Sequence, residues 1–215
     1  MRDDLDFKCI YLFKRNRDDC QVINSPGEML MLTGPDRGPF DADDFYFEIN
    51  LKIKDEEETM DRIFSRTVWS EDYPLDQWTK KELVSSWLST LELAYRSVHY
   101  AVEATVGINI LRGPREFHGS LTACSTEEST EMVLYNSERW GASAANADGS
   151  VVIPRRLVVL RVDEDLILNV CVFGRGHKSK PKTFVLTAEH SDKSFNIKRG
   201  RSHLLVTVSW SGILI

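Results

Sequence analysis

The sequence contains no apolar run that approaches the roughly 20 residues needed to cross a bilayer. Its first residues, MRDDLDFK, are acidic and lack the apolar segment of a secretory signal peptide. These two absences lead us to expect a soluble, cytoplasmic protein. Of the 215 residues, 42% are hydrophobic and 28% are charged, which is well away from the composition of disordered chains.

Cysteines and histidines are few and are poorly spaced for metal binding. The four cysteines, Cys9, Cys20, Cys124 and Cys171, contain no Cys-x-x-Cys pair and no spacing typical of zinc ligands. No histidine lies three or four residues from another. Because no secretion signal is visible, free thiols are expected rather than disulfides. We therefore predict neither a metal site nor a bound cofactor.

Charge is distributed unevenly along the chain. The net charge is −6, and residues 1–60 carry fifteen acids against eight bases. Residues 170–215 carry two acids against eight bases. The overall acidity argues against a protein dedicated to nucleic-acid binding. The basic C-terminal segment still leaves a local anionic partner open.

Strand-like alternation dominates the sequence. Residues 44–54 place hydrophobic side chains on one face and polar side chains on the other. The hydrophobic positions are Phe45, Phe47, Ile49, Leu51 and Ile53. Residues 98–110 repeat the pattern from Val98 and Tyr100 onward, and further short strands follow between glycine- and proline-containing turns. Together they predict an all-β fold, an antiparallel two-sheet β-sandwich with at most one short helix.

One segment has two interpretations. The hydrophobic residues Val84, Leu88, Leu91 and Tyr95 are spaced 4-3-4, which is typical of a helical stripe. From Leu91 onward the same stretch also alternates with period two. We favour a short helix or irregular piece over residues 76–88, with strands after it. The charged segment before it, KDEEETMD, reads as a solvated loop.

An internal similarity predicts that the fold is built from two similar halves in one domain, residues 1–215. Residues 1–19 align with 123–141, and residues 44–51 align with 165–172. The halves are then about 1–60 and 117–215, joined by strands within 88–112. The second half has a strand, FHGSLTA, whose counterpart would precede Met1. A missing strand or a shortened N-terminus would leave an open sheet edge, which favours pairing with another chain or a second copy.

The segment KRNRDDCQ, residues 14–21, is the densest polar cluster. Asp18 and Asp19 with Cys20 as nucleophile would make a hydrolase site. However, neighbouring residues on a strand point to opposite faces, and no histidine lies near Cys20 in sequence. We favour a capped turn after a strand at residues 10–13, in which Arg15 or Arg17 pairs with the aspartates.

Two further loops offer binding groups. TGPDRG, residues 33–38, resembles a small phosphate nest, but a turn with Pro35 at its first central position is simpler. Residues 174–182 and 198–203 are basic and make one anion-binding patch if they lie at the same end of the sandwich. The alternative is two solvated hairpin loops. The candidate binding residues are Arg175, Lys178, Lys180, Lys182, Lys198, Arg199 and Arg201. Neither loop contains an aromatic residue, so base stacking is not expected.

Six blocks occur in an order that resembles a known family. The blocks are RNRDDCQ, LMLTGPDRG, FYFEINLKIK, LSTLELA, YAVEATVGINI and VTVSWS. Nearly the whole chain thereby resembles domain of unknown function 6598, a plant domain found mainly in grasses. The resemblance makes Arg17, Asp18, Asp19, Cys20, Gly34 and Pro35 structural residues of the family signature, and it supplies no catalytic residues. Its members usually begin with one more strand.

Some grass proteins join such a domain to a ribosome-inactivating N-glycosidase domain, which implies a stress or defence context. The chain itself lacks the glycosidase pattern, because Val106 stands where an arginine should follow Glu103. We therefore expect a non-catalytic interaction module, most readily with a protein partner. The alternative is an accessory domain that binds RNA or ribosomes through the basic loops, and a hydrolase ranks last.

Overall fold

Strands make up most of the structure in a computed structural model of the chain. It describes residues 1–2, 8–39, 44–72, 79–128, 130–174, 177–178, 180–189 and 191–212. Contacts between Cα atoms divide the chain into two compact units, Met1–His99 and Tyr100–Ile215. The helix content of the described residues is one α-helical turn and two short 3₁₀ turns, none of which is long enough to span a membrane. The all-β prediction is confirmed.

The first unit contains two antiparallel hairpins. Its strands are β1 (Asp44–Ile53), β2 (Arg62–Asp72), β3 (Lys80–Ser86) and β4 (Ser89–Tyr95), and its 3₁₀ turns are Arg17–Asp19 and Glu58–Met60. Strand β1 pairs with β2, and β3 pairs with β4. The rings of Phe47, Trp69 and Tyr95 form a cluster with centroids 5.4–5.9 Å apart. This cluster brings both strands of the first hairpin together with β4 of the second.

The second unit is the β-sandwich. Its strands are β5 (Ala101–Arg112), β6 (Glu116–Phe117), β7 (Gly119–Ser125), β8 (Met132–Asn136), β9 (Ser143–Ala144), β10 (Leu157–Arg161), β11 (Asp165–Gly174), β12 (His177–Lys178), β13 (Lys182–Thr187), β14 (Lys193–Arg199) and β15 (Ser202–Gly212), with the helical turn α1 (Ser137–Trp140) after β8. One sheet has the order β10-β5-β15-β14. The other has the order β12-β11-β7-β8, with β13 also paired to β11.

The two sheets of this unit share one hydrophobic core. Alternation along β5 turns Ala104, Val106 and Ile108 inward, where each is at most 1% exposed. Leu166 and Leu168 of β11 face them from the other sheet and are fully buried. Burial of each large aliphatic side chain stabilises the fold by about 1.5–3 kcal/mol. The core of the sandwich is therefore formed by the hydrophobic residues that alternate with polar residues along these strands.

The predicted helix or irregular piece over residues 76–88 is wrong where the structure describes it. Residues 80–86 form β3, while residues 76–78 lie outside the described residues. A tight turn at Trp87 and Leu88 folds β3 back on β4, so that Val84 lies directly opposite Leu91. Two alternating strands joined by a short turn thus imitate a helical stripe. The strand predicted after this segment is confirmed as β4.

Two details of the strand predictions also need correction. Ile10–Phe13 form no strand, whereas their counterparts in the aligned segment lie in β8. The main chain of this segment forms other hydrogen bonds: the N–H of Ile10 donates to the carbonyl of Met1, and the carbonyl of Leu12 accepts from the N–H of Thr33. Tyr100 is 78% exposed, because β5 begins only at the next residue. The other pair of aligned segments, 44–51 and 165–172, lies in strands in both places. That the two halves are duplicated, and that they form a single domain, stay predictions.

Candidate functional site

The KRNRDDCQ segment forms a turn, as predicted. Residues Arg17–Asp19 make one 3₁₀ turn, closed by the main-chain N–H of Asp19 donating to the carbonyl of Asn16. Arg15 Nη1 lies 2.9 Å from Asp19 Oδ2 and forms an ion pair one turn away. The side chain of Asn16, at the N-cap, makes no capping hydrogen bond. The turn is thus held by its main chain and by the Arg15 ion pair.

Arg17 binds the connection between β1 and β2. Its Nε donates to Oδ2 of Asp61 at 3.2 Å, and its Nη2 donates to the carbonyl of Asp55 at 2.6 Å. The other carboxylate oxygen of Asp61 accepts from the main-chain N–H of Asp55 at 2.9 Å. The N–H of Asp55, followed by the guanidinium of Arg17, lowers the pKa of Asp61. Arg17 therefore acts as a structural clamp on residues 55–61.

The groups proposed for hydrolysis do not converge. Asp18 is almost fully exposed, and its nearest cation is Lys54 at 3.9 Å. Cys20 is also exposed. Within the part of the chain that the structure describes, no histidine hydrogen-bonds to its thiol. A cysteine nucleophile needs such a base within about 3 Å, so these residues do not assemble a catalytic pair.

Gly34 fills a place where no side chain fits. Its main-chain N–H and that of Thr33 both donate to the carbonyl of Leu12. A Cβ atom on Gly34 would collide with the carbonyl oxygen of Tyr11. Pro35 follows through a cis peptide bond. The glycine thus allows two chain segments to approach closely, which is a structural role.

Lys182 connects the two predicted basic segments. Its Nζ donates to the carbonyl of Asn196 on β14 at 3.3 Å and lies 5.1 Å from the centre of the Phe184 ring. Phe184 in turn contacts Phe195 of β14, with ring centroids 4.5 Å apart. The start of β13 therefore lies beside β14, close to Lys198. The structure thereby places Lys182, the last residue of the first segment, beside the strand that carries Lys198.

The other residues of the first basic segment are only partly visible. Lys180 is described and exposed. Arg175 lies outside the described residues, and for Lys178 only its place in β12 is described. The geometry of the candidate site therefore rests on the second segment, residues 198–203, with Lys182 at its flank.

A row of basic side chains crosses three neighbouring strands. Lys198 on β14 lies directly opposite His203 on β15, and His203 lies directly opposite Arg112 on β5. Directly paired residues of an antiparallel sheet share a face and lie about 5 Å apart. The register of β5 with β15 shifts by one residue between His203 and Leu204, next to this pair. We call Arg112, His203 and Lys198 the basic row. His203 Nε2 also contacts Oδ1 of Asn196 at 2.8 Å, which fixes the ring.

The basic row borders a surface depression of ≈ 690 Å³. Its other described lining residues are Gly113, Gly200, Arg201 and Ser202. Gly113 has φ +117°, and a Cβ there would stand 2.6 Å from the carbonyl of Arg201. Gly200, with φ +55°, has open space where a side chain would point. Glycines therefore leave the depression open, and its described lining contains no acidic and no apolar side chain.

The cations of this end are not neutralised by the protein. Among the described residues, no Asp or Glu forms an ion pair with Arg112, Lys198, Arg199 or Arg201. Elsewhere in the same unit two basic residues pair with carboxylates: Lys193 pairs with Glu189, and Arg161 pairs with Asp163. The end of β14 and β15 is thus a concentration of unpaired positive charge.

Sequence reasoning missed Arg112 and His203 as members of this site. His203 closes the quoted basic segment, but Arg112 ends β5, far away in the chain. The signal at Arg112 was weak: a basic residue that ends an alternating run just before a glycine. Only the pairing of β5 with β15 brings it beside the hairpin.

Metal chemistry has no support in the described residues. They contain no group of three or more His, Cys, Asp or Glu side chains able to hold an ion. No disulfide joins the four cysteines; Cys124 and Cys171 are buried, and burial raises the pKa of the Cys124 thiol. The candidate site is therefore the basic row and its depression.

Comparison with known proteins gives a family without an activity. The model of a family described as "Domain of unknown function (DUF6598)" matches residues 1–208. The match covers both compact units and the whole candidate site. No curated protein matches the chain significantly.

Proposed function

The chain belongs to the DUF6598 family, and we propose that it acts as a non-catalytic interaction module for an anionic partner. The observation that carries this proposal is the concentration of unpaired cations around the basic row. Charge that is neutralised inside a protein serves stability, whereas unpaired charge of one sign attracts ligands of opposite sign. Of the residues proposed for hydrolysis, Asp19 forms an ion pair with Arg15, while Asp18 and Cys20 are exposed and do not meet a catalytic base among the described residues. This arrangement supports a binding role.

We place this module in the cytoplasm of a plant cell, and of a grass in particular, with a role in stress or defence. The support for this context is the resemblance of the signature blocks alone. Expression of the transcript or protein after wounding or infection of grass tissue tests it. An abundance that does not change under any stress treatment would oppose the proposed context and leave the binding proposal intact.

A binding assay tests the module itself. The protein should be retained on an immobilised polyanion at moderate salt, and the variant with Lys198, Arg199 and Arg201 replaced by Ala should elute early. The matched control replaces Arg156, an exposed arginine of the same unit, by Gln. Early elution of the unmutated protein would remove the basis of the proposal.

The second candidate is an accessory domain that binds RNA or ribosomes, as proteins joined to a ribosome-inactivating domain would need. The specific observation in its favour is the composition of the depression, which is lined by cations, glycines and a serine. Nucleic-acid interfaces are more polar and more positive than protein interfaces. Co-sedimentation with ribosomes at low salt tests this candidate, and no co-sedimentation would end it.

A further inference from the structure

The shape of the charged surface indicates a repeating anion. Two spacings between neighbouring strands separate Arg112 from Lys198, or about 10 Å. Arg201 at the hairpin tip borders the same depression, and Lys182 donates to the carbonyl of Asn196, two residues before Lys198 on β14. Side chains as long as Arg and Lys can converge on one small anion across this distance, whereas a chain of anionic groups can contact both ends of the row and Arg201 at the same time.

The lining distinguishes between kinds of polyanion. Protein interfaces have an apolar centre with aromatic or aliphatic anchors. The depression contains no Phe, Tyr, Trp or aliphatic side chain among its described lining residues. An arginine guanidinium presents its N–H groups as a fork that fits carboxylate and phosphate oxygens alike, so the missing apolar centre is what distinguishes the two partners. A phosphate backbone therefore fits this surface better than an acidic protein does.

We propose that the basic row binds the phosphodiester backbone of a nucleic acid, with Arg112 and Lys198 contacting separate phosphates. His203 sets the distance between them, since it occupies the strand that lies between β5 and β14. Without an aromatic platform the bases are not read. Binding is accordingly independent of base, and it is equal for RNA and DNA of the same length. The inference rests on the proposed nucleic-acid candidate and adds its contact residues.

Fluorescence anisotropy with labelled U-homopolymer RNA tests the inference. The logarithm of the affinity should fall linearly with the logarithm of salt concentration, by about 0.7 for each phosphate contact. Arg112→Gln and Lys198→Gln should each reduce that slope by about 0.7 and weaken binding by the same factor for U- and A-homopolymers and for single-stranded DNA.

The matched control is Arg156→Gln, which removes the same charge from the residue that precedes β10. The carbonyl of Arg156 accepts from Val106, six positions before Arg112 on β5, which places it roughly 20 Å from the basic row. This variant should keep the slope and the affinity of the unmutated protein. Thermal unfolding of each variant shows that lost binding does not come from lost folding.

The outcomes separate this inference from the candidate on which it rests. No binding of RNA by the unmutated protein at low salt removes both. RNA binding that Arg112→Gln and Lys198→Gln leave unchanged overturns the inference alone, and the binding surface must then lie elsewhere. Polyglutamate that competes as well as RNA of equal charge overturns the assignment to phosphate.

Discussion

His203 on β15 lies directly opposite Arg112 on β5, and on its other side it lies directly opposite Lys198 on β14. Three basic residues thus stand in one line across the sheet. The line joins positions that are distant in the chain. It gives the basic end of the sandwich a definite geometry.

Removal of Arg112 should leave the fold intact. No described carboxylate pairs with its guanidinium, so Arg112→Gln loses no stabilising contact, and surface changes of this kind stay within about 0.5 kcal/mol. The measurement is the free energy of unfolding in urea. A loss of more than about 2 kcal/mol would mean that Arg112 has a structural partner, and the binding role would lose its main argument.

Lys182 should behave differently from Lys198, although both were predicted as binding residues. Lys182→Ala removes a hydrogen bond to Asn196 and a contact with the Phe184 ring, and should lower the free energy of unfolding by about 0.5–1 kcal/mol. Lys198→Ala should not change it. Equal unfolding midpoints for the two variants would show that Lys182 does not join β13 to β14.

Arg17 should hold the connection between β1 and β2. Arg17→Ala removes three hydrogen bonds to residues 55–61 and should expose that connection to limited proteolysis and faster amide exchange. Arg15→Ala is the control, because Arg15 pairs with Asp19 within the turn and not with a described residue of 55–61. If the two variants are cut at equal rates in this connection, Arg17 is not a clamp.

Asp61 should make part of the stability depend on acid pH. Its folded pKa is lowered, mainly by the N–H of Asp55 and then by Arg17. A carboxyl group of this kind stabilises the fold above its unfolded pKa of about 3.9, and the contribution is lost as pH falls through the folded value. The unmutated protein should therefore exceed Asp61→Asn in stability at neutral pH, and the difference should shrink below about pH 4. Urea denaturation over a pH series measures it; a difference independent of pH contradicts the assignment.

Local pattern was enough for the fold class and for much of the core. The alternation along residues 101–112 identifies Ala104, Val106 and Ile108 as inward residues without any structure. The same reasoning failed at Val84 and Leu91, because a hairpin with a tight turn places hydrophobic residues at helical spacing. Spacing alone does not distinguish the two arrangements.

The candidate site depends on pairing between distant segments, which composition does not encode. Residues 198–203 were recognised as basic from the sequence, yet Arg112 became their neighbour only through the register of β5 with β15. The partners of Arg17 were missed for the same reason, since Asp61 lies across a strand and a loop from it. What a single sequence shows is which residues carry charge; the sheet order decides which of them meet.

The most direct test of the account is a titration of ¹⁵N-labelled protein with single-stranded RNA, followed residue by residue through amide chemical shifts. If the basic row binds RNA, the largest chemical-shift changes are expected at Arg112, Gly113 and residues 198–203, and no changes are expected around Arg156. Changes centred on any other surface, or no changes at low salt, would contradict it.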